Sequence, residues 1–338
     1  MKSSLKYLLA TFCIAISICF SYAQTAKKTK SARRLITVKN TEELKNVLEI
    51  AKPGDSIVMS DGEYMGKFVI PANANGTKEK PITLIGTKKC VLTTGKTDNG
   101  YVLHHQASNW IIKGFMVKGG LKGIILDGAS NNLLDDLEVT QIGEEGIHFR
   151  KFSSNNKLQN SKIHHVGLLR PGYGEGVYIG SAVSNWARYT NGEPDRCDSN
   201  AIINNVIGPY VPAECIDIKE GTTGGIIRGN TFYSEGISGE NSADSWIDVK
   251  GNNYLIERNK GINTQPSALL DGYQVNCAVD GWGNHNEFKN NICEVNADGY
   301  GINIRLKSSK GAVVGNKVFS DNQVINAKSG VANIPLSE

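Results

Sequence analysis

The 338-residue sequence has no Cys-X-X-Cys pair and no Cys/His spacing of the zinc-binding kind, which excludes a zinc ribbon, a zinc finger or a thioredoxin-type redox centre. After residue 23 it has no apolar run of membrane-spanning length, so no stable membrane insertion is expected. Helical periodicity is almost absent from Ile57 onward, which removes the all-α and α/β classes. A basic surface is missing too. The formal charge of +4 comes from residues 1–34, which hold seven Lys and Arg and no acid; the remainder carries −3. No nucleic-acid partner follows from that balance. Cysteine is sparse, and an odd number of five (Cys90, Cys197, Cys215, Cys277, Cys293) lies beyond residue 23. Cys197 and Cys215 could pair in an oxidising compartment; buried free thiols are the alternative.

What is present begins with a leader. Lys2 and Lys6 precede an apolar stretch from Leu8 to Phe20, and Ser21-Tyr22-Ala23 is a small-X-small cleavage site before Gln24. This reads as a secretory signal over residues 1–23, cut after Ala23, which places the protein in the periplasm or outside the cell. Residues 24–34 read as a basic, solvated linker, and 35–338 as one catalytic domain. Leu35–Lys39 is a strand. Asn40 with Glu43 opens a helix whose Leu44, Val47, Leu48 and Ala51 share one face, ended by Pro53-Gly54-Asp55. Such a helix suits the exposed end of a solenoid, which must be covered.

The rest is repetition. Seven segments share the form small or bulky start, apolar, X, apolar, X: Gly123–Asp127, Gly146–Arg150, Gly176–Gly180, Cys215–Lys219, Trp246–Lys250, Gly272–Asn276 and Gly301–Arg305, at steps of 23 to 39 residues. Each step carries a second strand introduced by Asn-Asn or Gly-Asn, as at Asn131-Asn132, Asn155-Asn156, Asn204-Asn205, Gly229-Asn230, Asn290-Asn291 and Gly315-Asn316. Asn tolerates the left-handed backbone of a sharp corner, and stacked Asn side chains can hydrogen-bond from coil to coil. A propeller needs four strands in a longer repeat. The pattern predicts an all-β fold, a single-stranded right-handed parallel β-helix of about ten coils with an N-terminal capping helix.

Side chains alternate across a strand, so each X pair faces outward, and stacking makes two columns with a spacing of about 4.8 Å. One reads Ile125, His148, Tyr178, Asp217, Asp248, Gln274, Asn303; the other Asp127, Arg150, Gly180, Lys219, Lys250, Asn276, Arg305. The middle rungs are densest in titratable groups. Two Lys and an Arg there form an electropositive strip suited to an acidic polysaccharide. For a uronate the favoured reaction is β-elimination: cations stabilise the charge that develops when the C5 proton leaves, while an acid protonates the departing O4. Lys219 is assigned as base and Tyr178 as acid, an order open to reversal because epimeric sugars present C5–H and O4 differently. Arg150, Lys250 and His148 would hold the carboxylate. Like-charge repulsion from Lys250 and Arg150 would depress Lys219, with Asp217 and Asp248 opposing. Arg305 lies further along the same strip.

The step between Ile179 and Ile216 is overlong, and its extra residues, Ser184–Arg196, should form a loop on the binding face. Trp186 and Tyr189 could stack on sugar rings, with Arg188 or Arg196 pairing with a carboxylate; the alternative is a Trp packed back on the body. Glu145 and Glu175 read as equivalent turn residues, and His104-His105 and His164-His165 as turn or surface positions. Two other readings use the same residues. Asp217 and Asp248 could be the acid/base pair of a glycoside hydrolase, but two neighbouring Lys would keep both ionised. Asp217, Asp248 and Asn276 could ligate calcium, a poor site with two separated carboxylates; no cofactor is expected. A non-catalytic glycan-binding solenoid would show blander columns.

The coils from Gly123 to Arg305 resemble right-handed β-helix polysaccharide lyases. Gly174–Gly180, Ile216–Gly221 and Trp246–Gly251 are most similar to a small group that includes alginate lyases. That resemblance implies a Tyr/Lys acid–base pair, which falls on Tyr178 and Lys219. The double Asp and Gly-His-Gly of polygalacturonases are absent.

Overall fold

A computed structural model describes residues 34–338; the expected leader, and the linker up to residue 33, lie outside the described residues. The chain winds into a parallel β-helix with three long sheets, of twelve, ten and ten strands, in which each strand pairs with its counterpart one coil before and after. An antiparallel pair, Lys307–Ser308 with Gly311–Ala312, is the one exception among the described residues. The core is the solenoid interior, a continuous column of Ile, Val, Leu and Phe from Val38 to Val318. No helix among the described residues is long and apolar enough to cross a membrane.

Helix α1 (Thr41–Ile50) covers the first coil. The Asn40 side chain accepts from the Glu43 N–H, and Leu44 and Leu48 are buried, as the apolar spacing requires. The corners explain the Asn doublets. The first member takes the left-handed conformation (Asn131, φ 60°; Asn155, φ 58°; Asn204, φ 55°; Asn290, φ 52°), and the second turns its amide inward to bond the coils above and below. Asn205, Asn230, Asn259, Asn291 and Asn322 make one such ladder, with Nδ2–Oδ1 distances of 2.9–3.0 Å. A ladder satisfies backbone groups that the corner would otherwise leave unpaired.

One ten-stranded sheet carries the outward columns. Its strands in chain order are β1 (Phe68–Ile70), β2 (Tyr101–His105), β3 (Lys122–Asp127), β4 (Ile147–Arg150), β5 (Val177–Ile179), β6 (Ile216–Ile218), β7 (Ile247–Val249), β8 (Tyr273–Val275), β9 (Tyr300–Ile304) and β10 (Gly330–Ala332). The register runs Ile125, His148, Tyr178, Asp217, Asp248, Gln274, Asn303 without a slip. The five cysteines are free and buried; Cys197 and Cys215 form no disulfide.

Candidate active site

The middle of this sheet is not an open solvated face. His148, Arg150, Asp217, Asp248 and Gln274 all point outward and are nevertheless buried, because two walls rise beside the strands and the side chains pair with one another. One wall is the long segment after β5. Its Asp195 carboxylate is buried and accepts from the Ser181 hydroxyl (2.6 Å) and from the Lys151 and Phe152 N–H groups (3.1 and 2.8 Å), which pins the loop to the preceding coil. Trp186 is buried, donates Nε1–H to the Ser181 carbonyl (2.9 Å) and lies against Gly221, where a Cβ would fall 3.2 Å from the indole and 2.9 Å from the Asp195 nitrogen. The other wall is formed by short 3-10 turns at Pro171–Tyr173 and Glu240–Ser242, joined by Asn241 Nδ2 to the Gly172 carbonyl (3.2 Å). Between them lies a cleft of about 760 Å³ lined by Tyr101, Lys122, Glu145, His148, Arg150, Arg170, Tyr173, Glu175, Tyr178, Arg188, Tyr189 and Lys219, among others.

On the floor, Tyr178 and Lys219 sit on adjacent rungs, with the Lys219 ammonium 4.9 Å from the Tyr178 ring centroid. His148 stacks edge-on against Tyr178 at 4.4 Å. The Tyr178 phenol makes no hydrogen bond to a described residue; burial, then the Asp217 and Glu175 carboxylates, hold its pKa well above the ordinary value. Lys219 bonds Asp217 at 2.5 Å. Burial alone would lower the lysine, but Asp217 and then Asp248 more than offset it, and Lys219 stands above its usual range. The expected depression by Lys250 and Arg150 is therefore corrected: a directly bonded carboxylate outweighs cations that are themselves neutralised. Both members of the pair are protonated in the resting site.

The other expected residues divide sharply. Lys250 does not reach the cleft. Its side chain is half-buried, as that of Lys219 is, and its ammonium bonds Asp217 (2.9 Å) and Asp248. Asp217 and Asp248 are thus committed to ammonium groups; neither lines the cleft, and Asp217, drawn down by Lys219 and Lys250 against the effect of burial, is no proton donor for hydrolysis. The trio Asp217, Asp248 and Asn276 does not fit calcium, because the Lys250 ammonium already stands between the carboxylates and Asn276 turns its amide N–H to Asp248 at 2.6 Å. Arg150 lines the cleft but is locked: Nε and Nη2 bond Asp127 (2.5 and 3.1 Å), Nη2 and Nη1 bond the Tyr101 and Tyr189 hydroxyls (3.2 and 3.3 Å), and both rings flank the guanidinium. It is a brace more than a clamp. His148 gives Nε2–H to the Gly180 carbonyl (2.8 Å) and turns Nδ1 toward Glu145 (3.5 Å). Trp186 packs back on the body and offers no sugar platform. Arg305 faces Asp244 at 3.7 Å, away from the cleft lining. Arg188 reaches the rim, its guanidinium 5.1 Å from the Tyr189 ring, and has no ion-pair partner among the described residues.

Three contributors are not legible as site residues in the sequence. Glu145, Glu175 and Glu214 each precede the first residue of an outward segment, and the backbone pairs Gly146 N–H with Glu175 O and Gly176 N–H with Glu214 O. They form a third column beside the other two. The signal was present in the repeat, as three successive Glu at one position, but a position outside the strand has no alternation to say which way it points. Lys122 joins the foot of this column through Glu144 (2.8 Å) and Glu145, and Arg170 bonds Glu144.

Comparison with known proteins follows this geometry. The crystal structure of an alginate lyase from Paenibacillus sp. str. FPU-7 is 38% identical, covers 90% of this chain and 100% of its own, and superposes with a TM-score of 0.79. This chain belongs to the β-helix polysaccharide lyases. The lyase also shares its fold with the pectate lyase Pel9A (15% identity, 90% of this chain and 79% of that one, TM-score 0.63). A mannuronic acid specific family 6 lyase from human gut microbiota gives 14% identity, 90% and 77% coverage and a TM-score of 0.54. The chondroitinase B family model matches residues 38–104 of the lyase, coils that precede most of the cleft. No curated protein matches the sequence.

Proposed function

We propose that this lyase cleaves a uronate-containing polysaccharide by β-elimination, with alginate as the leading substrate and Tyr178 and Lys219 as the acid–base pair. The observation that carries this reading is the pair itself: two proton-transfer groups on adjacent rungs at the floor of a walled cleft, in a chain 38% identical to an alginate lyase. The base removes the C5 proton, the C–H electrons form the C4–C5 double bond, the C4–O4 bond breaks, and the acid delivers a proton to O4. The products are an unsaturated uronate end and a new reducing end. The sequence assignment, Lys219 as base and Tyr178 as acid, is kept, since both groups rest protonated and the ionisation of the resting site does not distinguish the two orders. Whichever group is the base must first lose a proton from a raised pKa, so turnover should climb with pH into the alkaline range. We further propose that the chain is exported after cleavage behind Ala23.

The test is an ultraviolet assay over alginate, its two homopolymer blocks, pectate and glycosaminoglycans. Unsaturated, ultraviolet-absorbing ends support the reading. Saturated reducing ends would transfer it to hydrolysis, and inertness on the whole panel would transfer it to glycan binding. Amino-terminal sequencing of protein from the culture supernatant or periplasm should begin at Gln24.

A further inference from the structure

The charges of the cleft are already balanced. Arg150 is matched by Asp127, Lys219 and Lys250 by Asp217 and Asp248, and Lys122 and Arg170 by Glu144 and Glu145. A uronate entering this floor brings one more negative charge, and no deep cation is left over for it. The third column shows where the compensation lies. Neighbours in a parallel sheet are about 4.8 Å apart, too close for three carboxylates to ionise together in a buried setting. Glu145 is the one with partners at hand: burial raises it, but the hydrogen bond to His148 and the Lys122 ammonium more than offset that and bring it to about 2. Glu175, the middle member, makes no ion pair, and Lys219 lowers it by less than burial and the neighbouring carboxylates raise it. Its carboxyl lies within 4.8 Å of those of Glu214 and Asp217. The residue is buried, it lines the cleft beside Tyr178 and Lys219, and its Oε2 has no hydrogen-bond partner. A buried carboxyl oxygen without a partner is costly unless something binds it.

We propose that Glu175 is a substrate-binding residue of the cleft, a neutral carboxylic acid that donates its O–H to the carboxylate of the bound uronate and so neutralises it without an added cation. This deepens the lyase reading and rests on it. The protonated state follows from the surroundings: burial first, then the Glu145, Asp217 and Glu214 carboxylates, hold Glu175 well above the usual Glu range. Glu214 behind it is likewise raised, to about 8. The O–H bond is charge-assisted, so it strengthens as the substrate carboxylate gains enolate character, which is where a lyase needs it. It also discriminates: a neutral or esterified sugar cannot accept it as strongly, whereas a plain cationic groove would hold any polyanion.

The experiment measures the affinity of a defined oligouronate by calorimetry in a Tyr178→Phe background, where the ligand is not consumed, at pH values from 6 to 9. With Glu175 present, Kd should rise with pH, because the ionised carboxylate repels the ligand. Glu175→Gln should bind about as well at pH 6 and lose the pH dependence, since an amide donates at every pH. Glu175→Ala should weaken binding roughly tenfold or more, in line with a lost charge-assisted bond of about 1.5–3 kcal/mol, and the loss should shrink on the methyl-esterified ligand. A purely structural role predicts that Gln and Ala behave alike and that esterification changes nothing; that result overturns the proposal. So does a rise in melting temperature on adding calcium chloride that Glu175→Gln abolishes, which would make the carboxyl an ionised metal ligand. The failure of the underlying reading looks different: wild-type protein that releases no unsaturated product from any polyuronate, whatever Glu175 does to affinity.

Discussion

Replacing Lys250 by Met tests the charge cluster of Asp217, Asp248 and their two lysines. The ammonium bonds both Asp217 and Asp248; Met fills the space of the stem and supplies no charge. Asp217 keeps Lys219 (2.5 Å), and Asp248 keeps the Asn276 amide (2.6 Å), so the lesion is one uncompensated buried carboxylate. Breaking a buried pair from one side costs about 3–5 kcal/mol. At roughly 2–3 °C per kcal/mol for a domain of this size, Lys250→Met should melt on the order of 10 °C lower at neutral pH. The pH dependence separates this cause from simple loss of packing. In the wild type Asp217 lies below its unfolded value, so its contribution is present above the ordinary Asp pKa and fades as pH falls through the folded one. Lys250 lies above its own unfolded value, so its contribution is complete below that value and fades only at strongly alkaline pH. Between about pH 5 and 9 the wild type is therefore flat with respect to this pair. In the variant the orphaned carboxylate is pushed up by burial, the native state binds a proton that the unfolded chain does not, and stability should fall as pH rises from about 4 to 8. Urea midpoints at pH 5 and pH 8 measure this directly. An equal loss at both values, or a loss under about 1 kcal/mol, would refute the assignment of the lysine as the charge that holds the cluster together.

Other substitutions should behave as follows. Tyr178→Phe removes a hydroxyl with no bond to a described residue, so it should lower kcat/KM by about 10²–10⁴-fold while leaving the melting temperature unchanged; Lys219→Ala should lose activity and also some stability, because it strips one ammonium from Asp217. Arg188→Ala should raise KM roughly tenfold with kcat unchanged, as expected for a rim cation that holds ground and transition states alike. Asn230→Ala leaves the Asn205 amide and N–H and the Ile202 carbonyl without their partner. At about 1–3 kcal/mol for each buried group so exposed, it should destabilise by at least about 3 kcal/mol in urea titration.

The solenoid was legible because both of its signals are local. Alternation in Ile216-Asp217-Ile218 and Ile247-Asp248-Val249 sets which side chain faces out, and the Asn doublets mark the corners; together they determine which residues stack, down to the Tyr178–Asp217 register. The site was legible only as a set of rows. Whether an outward residue meets substrate depends on what folds over it, and the loops that do so have no period. Trp186 is aromatic and lies in the inserted segment, yet its indole N–H finds the Ser181 carbonyl and the ring is buried. Lys250 has the same place on its rung as Lys219, yet it is bonded to two carboxylates and does not line the cleft. Glu175 reads as a turn residue because its position precedes the strand, and the folded chain makes it part of the cleft lining. Ionisation states fared worst, since they turn on which partner sits within bonding distance, and sequence order carries no such information.

The Asn corners have one more consequence. Between Asn132 and Asn156 the chain spends 24 residues on a coil, and between Asn156 and Asn200 it spends 44, yet the amide bonds closing the two coils measure 3.0 and 3.1 Å. A turn of this solenoid can therefore swell by some twenty residues while its vertices stay put (44 against 24). Material added at such a point becomes cleft wall and leaves the register of the stacked rungs undisturbed. Cleft wall and cleft floor are thus separable parts of the chain, and lengthening or trimming one outgrowth reshapes the wall without rebuilding the strands beside it.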